Sequence, residues 1–209
     1  QRYFWDRVYD RYARLYDAVD WFTFNTTHKY RLKILDFLPQ TGTSLLEIGP
    51  GTGKLHCILA SRYHTSGLDR AMGMLHMARW RLQQKGLSSH LCRGDVYHIP
   101  WPAQTFDLIV LSFAFSAFPD GHRAFHELYR VLKNNGSLII LDAGVSDNRN
   151  WFAVTLAKIW EIFGDSIRDE RLYMRAKNMK ITYQEFGPGG CVHIVAGVKS
   201  QADGLQLLQ

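Results

Sequence analysis

The stretch Glu47-Ile48-Gly49-Pro50-Gly51-Thr52-Gly53 has the residue types to wrap main chain around a ligand. Glycine lets backbone approach closely where a side chain would intervene. An apolar run precedes the stretch and a helical pattern follows it, so free amides of a helix start would face the ligand. The spacing excludes two other loops. A dinucleotide fingerprint would need its third glycine at position 54, which is Lys54. A phosphate-binding P-loop would end in Gly-Lys-Ser/Thr, and Gly53-Lys54 is followed by Leu55.

The elements that must position this loop read as an alternation. Strands are predicted at 44–48, 65–69, 89–93, 106–112 and 137–142. Helices are predicted at 53–63, at 71–85 with Gly86 as a stop, at 121–132 and at 151–163. The turn Asn134-Asn135-Gly136 opens the fifth strand. The chain closes with strands at 180–186 and 191–199 around Gly187-Pro188-Gly189-Gly190. Before the loop, residues 3–22 read as an aromatic amphipathic helix. Residues 27–38 read as a second helix, ending ahead of Pro39. The pattern predicts an α/β fold: a seven-stranded, mostly parallel sheet, helices on both faces, a terminal antiparallel hairpin and extra N-terminal helices. One domain is expected, with 1–40 as a helical lid, 41–145 as the core, and 146–209 as an acceptor-side helix and hairpin. Asp69 ends the second strand about 20 positions after Glu47, where a carboxylate can accept hydrogen bonds from ribose hydroxyls. It can equally cap the helix that follows.

Several ordered segments resemble the class I S-adenosylmethionine-dependent methyltransferases, whose fold is Rossmann-like. Glu47 to Gly53 is similar to that family's first motif. Asp69-Arg70-Ala71-Met72-Gly73-Met74 resembles its Asp-x-Ser-x-x-Met segment, with Ala71 in place of Ser. Gly94-Asp95-Val96 resembles the stretch in which an acidic side chain holds the adenine amino group and the next amide meets the ring; Asp95 also suits a turn before Tyr97. Phe106 to Ser112 matches the strand that passes beneath the methyl donor. Arg130-Val131-Leu132-Lys133-Asn134-Asn135-Gly136 is similar to Arg-Val-Leu-Lys-Pro-Gly-Gly. The resemblance implies S-adenosylmethionine as cofactor, S-adenosylhomocysteine as product and no metal. It implies a donor site of Glu47, Gly49, Gly51, Gly53, Asp69, Arg70, Met74, Asp95, Val96 and Ser112.

The acceptor is read from other segments. Tyr9-Asp10-Arg11-Tyr12-Ala13-Arg14-Leu15-Tyr16-Asp17 resembles the opening of quinone-biosynthesis methyltransferases and of bacterial phosphatidylethanolamine N-methyltransferases. Ser116-Ala117-Phe118-Pro119 is similar to an Ala-Val-Pro text of the latter group. Arginine mixed with Trp, Tyr and Phe in the first helix suits a membrane interface. Arg168, Arg171 and Arg175 fall at i, i+3 and i+7 on a predicted helix and could grip a phosphodiester. The expectation is therefore N-methylation of a phospholipid amine, with C-methylation of a prenylated quinol or cofactor binding without turnover as alternatives. Tyr9, Arg168, Arg171 and Arg175 would contact the acceptor, and Tyr16 or Asp142 would take its proton.

Composition narrows the class. A hydrophobic content of 46% fits a packed core. Cys57, Cys92 and Cys191 are scattered and lack metal spacing. The apolar run 106–119 is shorter than a bilayer span of roughly 20 residues. The net charge of +6 permits anionic partners. Nucleic acid is not expected, since Ser112-Phe113-Ala114-Phe115 stands where amino-adenine enzymes carry Asn/Asp-Pro-Pro-Tyr/Phe. A cytoplasmic protein is expected, with residues 1–24 touching the inner face of the membrane.

Overall fold

The computed structural model describes residues 26–39, 43–145 and 166–200, with 147, 151, 154, 155 and 158 in between. The chain divides into two compact units, Gln1–Pro100 and Trp101–Gln209.

In the first unit, helix α1 (Thr26–Leu32) tightens into a 3-10 turn at Lys33–Phe37. Leu38 then turns extended ahead of Pro39, which disfavours helical geometry in the residue before it. The expected single helix is thus split. Strand β1 (Ser44–Ile48) is buried along nearly its whole length. Helix α2 (Lys54–Ala60) leads to β2 (His64–Asp69), helix α3 (Met72–Gln84) and β3 (His90–Arg93). The three strands are parallel, in the order β3-β2-β1. Helix α3 buries Met74, Leu75, Ala78 and Leu82, a stripe at helical spacing. It ends where Gly86 adopts φ 63°; Leu87 N–H bonds the Leu82 carbonyl at 2.9 Å, and Gly86 N–H bonds that of Gln83 at 3.1 Å. That pair of bonds is a Schellman closure, as the glycine stop predicts.

The second unit holds β4 (Phe106–Ser112), helix α4 (Gly121–Val131), β5 (Leu132–Ala143), a short helix α5 (Glu170–Arg175), β6 (Lys180–Phe186) and β7 (Val192–Val198). The order is β4-β5-β7-β6, parallel for β4 and β5 and antiparallel at both pairings of β7. Together the two units hold the seven strands of a mixed Rossmann-like sheet. Asp120 caps α4 by accepting the Arg123 N–H, and Ala124, Phe125, Leu128 and Val131 form its buried face.

Strand β5 begins earlier than its predicted first residue, Ser137. Phe106 pairs with Leu132, and the register shifts before Leu108 pairs with Ser137. The predicted turn is therefore an irregularity inside the strand, with Asn135 at φ 62°. Lys199 closes this corner. Its buried Nζ donates to the Tyr129 and Leu132 carbonyls at 3.0 and 2.9 Å, where α4 runs out of amide donors. Of the predicted helix 151–163, the described residues Trp151, Val154, Thr155 and Lys158 are helical. Among the described residues, no helix is long and apolar enough to cross a membrane.

Helix α5 is anchored by Met174, which is fully buried; a methyl built on Gly197 of β7 would come within 2.6 Å of its sulfur. Met174→Ala should cost about 2–5 kcal/mol, read as a lower urea midpoint. An unchanged midpoint would mean that α5 is not packed through this side chain.

Candidate functional site

In the first unit the groups that matter cluster at the carboxyl ends of β1, β2 and β3, where ligands of open α/β sheets bind. The main chain leaves β1 through Gly49, Gly51 and Gly53 at φ 69°, 54° and 83°. At Gly53 a Cβ would lie 2.8 Å from the Ala78 Cα, so glycine is required both by conformation and by close packing on α3. At Gly51 a Cβ would meet nothing within 4 Å, which leaves open space over the loop. The Thr52 carbonyl is held from α3 by Arg81 Nε at 3.0 Å.

Asp69 ties the loop to β2. Its Oδ2 accepts the Gly51 N–H at 3.2 Å and its Oδ1 the Ala71 N–H at 3.0 Å. The two sequence readings of Asp69 are thus compatible, because the carboxylate anchors the α3 start while lying beside the glycine loop. Burial pushes its pKa up to about 6, against the pull of the Ala71, Gly51 and Arg70 amides. Arg70 uses its carbonyl to accept Arg93 Nε at 3.1 Å. Asp95 Oδ1 accepts the Tyr97 N–H at 3.1 Å, so the expected turn forms; Val96 is buried next to it. Met74 is buried against Ala71 and Met77, inside the helix packing.

Glu47 faces inward. It and His56 are 1% and 0% exposed, and Oε2 lies 2.7 Å from Nδ1. His56 Nε2 lies 2.7 Å from Ser89 Oγ, whose hydrogen goes to the Thr65 carbonyl at 2.9 Å. Nε2–H is therefore the donor to Ser89. Gly67 sits opposite Glu47 in the β1–β2 register, and its lack of a side chain leaves room for the imidazole, whose Cε1 would lie 3.1 Å from a Cβ there. Glu47 thus braces the loop from beneath. His56, a single histidine within an apolar helix, carries no sequence signal of this role.

In the second unit the ionisable groups gather at the carboxyl end of β5. Asp142 is buried. Its Oδ1 accepts Ser116 Oγ–H and the Ala143 N–H, and its Oδ2 accepts the Ser116 N–H, all at 2.8 Å. Burial and the Glu170 charge push its pKa up to about 7, opposed by the Ser116 and Ala143 donors. Three donors make Asp142 a clamp on the chain after β4. That chain leaves the buried Ser112 through Phe113 at φ 52°, a conformation unusual for a bulky residue. Glu170 and His193, both buried, pair at 2.7 Å through Oε2 and Nε2. Sequence reasoning misses both, since a lone histidine in an apolar strand and a glutamate in a charged helix are ordinary.

The arginine grip needs correction. Asp169 is the N-cap of α5, so Arg168 precedes the helix and the i, i+3, i+7 face does not form. Arg168 donates to the Phe118 and Pro119 carbonyls at 2.7 and 2.8 Å. Arg171 is bound by both Asp147 and Asp169, at 2.6 and 2.7 Å at closest, and lies 4.1 Å over the Tyr183 ring. Its charge is neutralised and its pKa held above the ordinary guanidinium value by those carboxylates. Arg175 is exposed. Tyr9, Tyr16 and the proposed interfacial residues 1–24 lie outside the described residues. The Cys57 and Cys191 thiols are raised by burial, which makes them poor nucleophiles.

Residues 46–140 match the family model of a methyltransferase domain. Demethylmenaquinone methyltransferase of Thermotoga maritima is 30% identical over 141 residues, which are 65% of this chain and 60% of that protein. The enzyme of the same name from Thermus thermophilus is 30% identical over 140 residues, 65% of this chain and 64% of that protein. The chain thus spans less than two thirds of the length of these relatives. A Thermotoga maritima structure described as a SAM-dependent methyltransferase, possibly a histamine N-methyltransferase, shares the fold. Its TM-score is 0.73 at 18% identity, covering 93% of this chain and 99% of that one. The glycine loop tied to Asp69, the seven-stranded mixed sheet and the methyltransferase-domain match over residues 46–140 make the chain similar to the class I S-adenosylmethionine-dependent methyltransferases.

Proposed function

We propose that the chain transfers a methyl group from S-adenosylmethionine to a small lipophilic acceptor, and that this acceptor is a prenylated quinol methylated on a ring carbon. The observation that carries the choice is the likeness to two enzymes named demethylmenaquinone methyltransferase. The rival phospholipid amine rests on the first helix and on three arginines. The helix is outside the described residues, and two of the arginines are bound to protein carbonyls and carboxylates.

The donor supplies a methyl group already activated on a sulfonium. What remains for the chain is to bind, orient and manage protons. The main chain at Gly51 leaves open space for the donor, and Asp69 has the position and chemistry to accept its ribose hydroxyls. Asp95 and the Val96 amide are assigned to the adenine, and Ser112 ends the strand expected beneath the methyl group. Glu47 and Met74 act through packing under the loop and under α3. A ring carbon is a weak nucleophile until its phenol ionises, so the acceptor side must remove a proton.

The Asp69 value sets a pH dependence. Only its ionised form accepts two hydroxyls, and in the free protein it protonates near pH 6. Affinity for S-adenosylhomocysteine should therefore fall about tenfold per pH unit below that value and level off above it. Asp69→Asn should weaken binding at pH 8 by roughly tenfold or more and flatten the slope, both read by calorimetry. A wild-type affinity that does not change between acid and neutral pH would remove Asp69 from the contact.

Acceptor choice is tested with methyl-labelled donor and, in separate reactions, a reduced demethylated prenyl naphthoquinone in detergent micelles, phosphatidylethanolamine vesicles and RNA. Label is expected in the quinol. Label confined to the vesicles would restore the head-group reading. Donor binding with no label in any arm would leave a cofactor-binding protein without turnover.

A further inference from the structure

Three buried ionisable side chains of the second unit, Asp142, Glu170 and His193, lie outside the donor site and are not used by it. In the antiparallel registers Asp142 faces His193, and His193 faces Glu185. Directly opposed residues project from the same face of a sheet, so Asp142, His193 and Glu185 form one row across β5, β7 and β6. Tyr183 lies on that face too, with its ring 5.7 Å from that of His193 and its hydroxyl donating to Glu185 at 3.0 Å. Glu170 reaches the row from the start of α5, and its Oε2 lies 2.7 Å from His193 Nε2.

This contact fixes the ring. An ionised carboxylate only accepts, so it selects the Nε2–H tautomer and leaves the lone pair on Nδ1. The Nδ1 edge faces Gly144, directly after β5, where a Cβ would fall 2.2 Å from Nδ1 and 2.5 Å from Cε1. Only glycine fits against the ring there, and Nδ1 has no hydrogen-bond partner among the described residues. A carboxylate-oriented imidazole with a free lone pair on its second nitrogen is the arrangement of a general base.

We propose that His193, oriented by Glu170, takes the proton from the acceptor in methyl transfer. This rests on the methyltransferase reading above. With a quinol, the O–H proton passes to Nδ1 and the electron pair left on oxygen extends to the ring carbon. That carbon bonds the methyl group as the sulfonium–methyl bond breaks and its pair stays on sulfur, giving S-adenosylhomocysteine. The oxygen then regains its proton from His193 while the ring carbon releases its hydrogen to water. The net product is methylated quinol and one proton, and the imidazole ends neutral.

The surroundings tune the base. Burial alone would lower the His193 pKa, but the Glu170 hydrogen bond and the charges of Glu170, Asp142 and Asp169 outweigh it, so it stands above the ordinary imidazole value. Other groups near the ring are Glu185 and Tyr183 on β6, Arg171 on α5 and Asp147 beyond β5. Arg171 is neutralised by Asp147 and Asp169. A base works unprotonated, so turnover should rise with pH through that raised value.

The first test needs no turnover. In the full chain with bound S-adenosylhomocysteine, nitrogen NMR of labelled histidines should show one Nε2–H ring that titrates above about pH 6.5. That ring should disappear in His193→Gln and titrate lower in Glu170→Gln. A neutral Nδ1–H ring, or one that does not titrate between about pH 5 and 9, overturns the proposal. Turnover is then followed in whichever acceptor takes label from the wild type, since quinol and ammonium alike must lose a proton. His193→Gln should lose at least about 100-fold in kcat and its acid limb, with S-adenosylhomocysteine affinity within about twofold of wild type. Retention of kcat within about threefold, or of the acid limb, overturns the proposal. If His193→Gln does not fold, Glu170→Gln decides: the acid limb must shift to lower pH with at least about a tenfold loss of kcat, and an unmoved limb counts against the base. A wild type that binds product but labels nothing overturns the parent reading and the base with it.

Discussion

Carboxylates buried near strand ends must be met by donors, and most of what is distinctive in this protein follows from meeting them. An unmatched carboxylate in a low-dielectric setting costs several kcal/mol or becomes protonated. Asp69 is met by the amides of Gly51 and Ala71, and Asp142 by the Ser116 amide and hydroxyl and the Ala143 amide. Glu47 and Glu170 are each met by one imidazole. These two solutions lead to different chemistry. Backbone donors fix where the carboxylate sits, while an imidazole partner also carries a proton that can move.

Each solution imposes a requirement on the chain nearby. For Gly51 N–H to reach Asp69, the main chain must turn through left-handed conformations after β1, which is why glycines stand at 49, 51 and 53. To bring Ser116 back to Asp142, the chain leaves β4 through Phe113, a bulky side chain at positive φ. An imidazole needs space instead. Gly67 makes that space beside His56, and Gly144 makes it beside His193. The glycines around both histidines are therefore consequences of burying Glu47 and Glu170, not features of the turns alone.

These relations explain what can be read from the chain itself. The strands at 44–48 and 106–112 are legible because strands buried on both faces are nearly continuous apolar runs. The loop is legible because backbone recognition demands glycine at set positions. Helix α5 is misread because Asp169, an N-cap, lies within the arginine spacing and starts the helix after Arg168. The start of β5 is expected too late because Asn134-Asn135-Gly136 has turn composition, while the pairing of Phe106 with Leu132 extends the strand behind it. His56 and His193 are invisible because one imidazole in an apolar segment is ordinary, and its carboxylate partner lies on a different element.

The same distinction accounts for the unequal clarity of donor and acceptor. A donor held largely by main-chain atoms restricts residue type at each contact, and little besides glycine satisfies positive φ with close approach. An acceptor recognised by side chains imposes no such spacing. Glu170 and His193 are 23 positions apart, Asp142 and Ser116 are 26, and each pair would function equally well at other separations. The β5–β7 register brings Asp142 opposite His193, and nothing local to either residue encodes that meeting. Related chains can therefore keep the donor loop while changing the acceptor by exchanging side chains along this row. The most informative comparison among them is consequently not the glycine loop but whether a histidine opposite the β5 aspartate occurs together with a glycine at the position of Gly144.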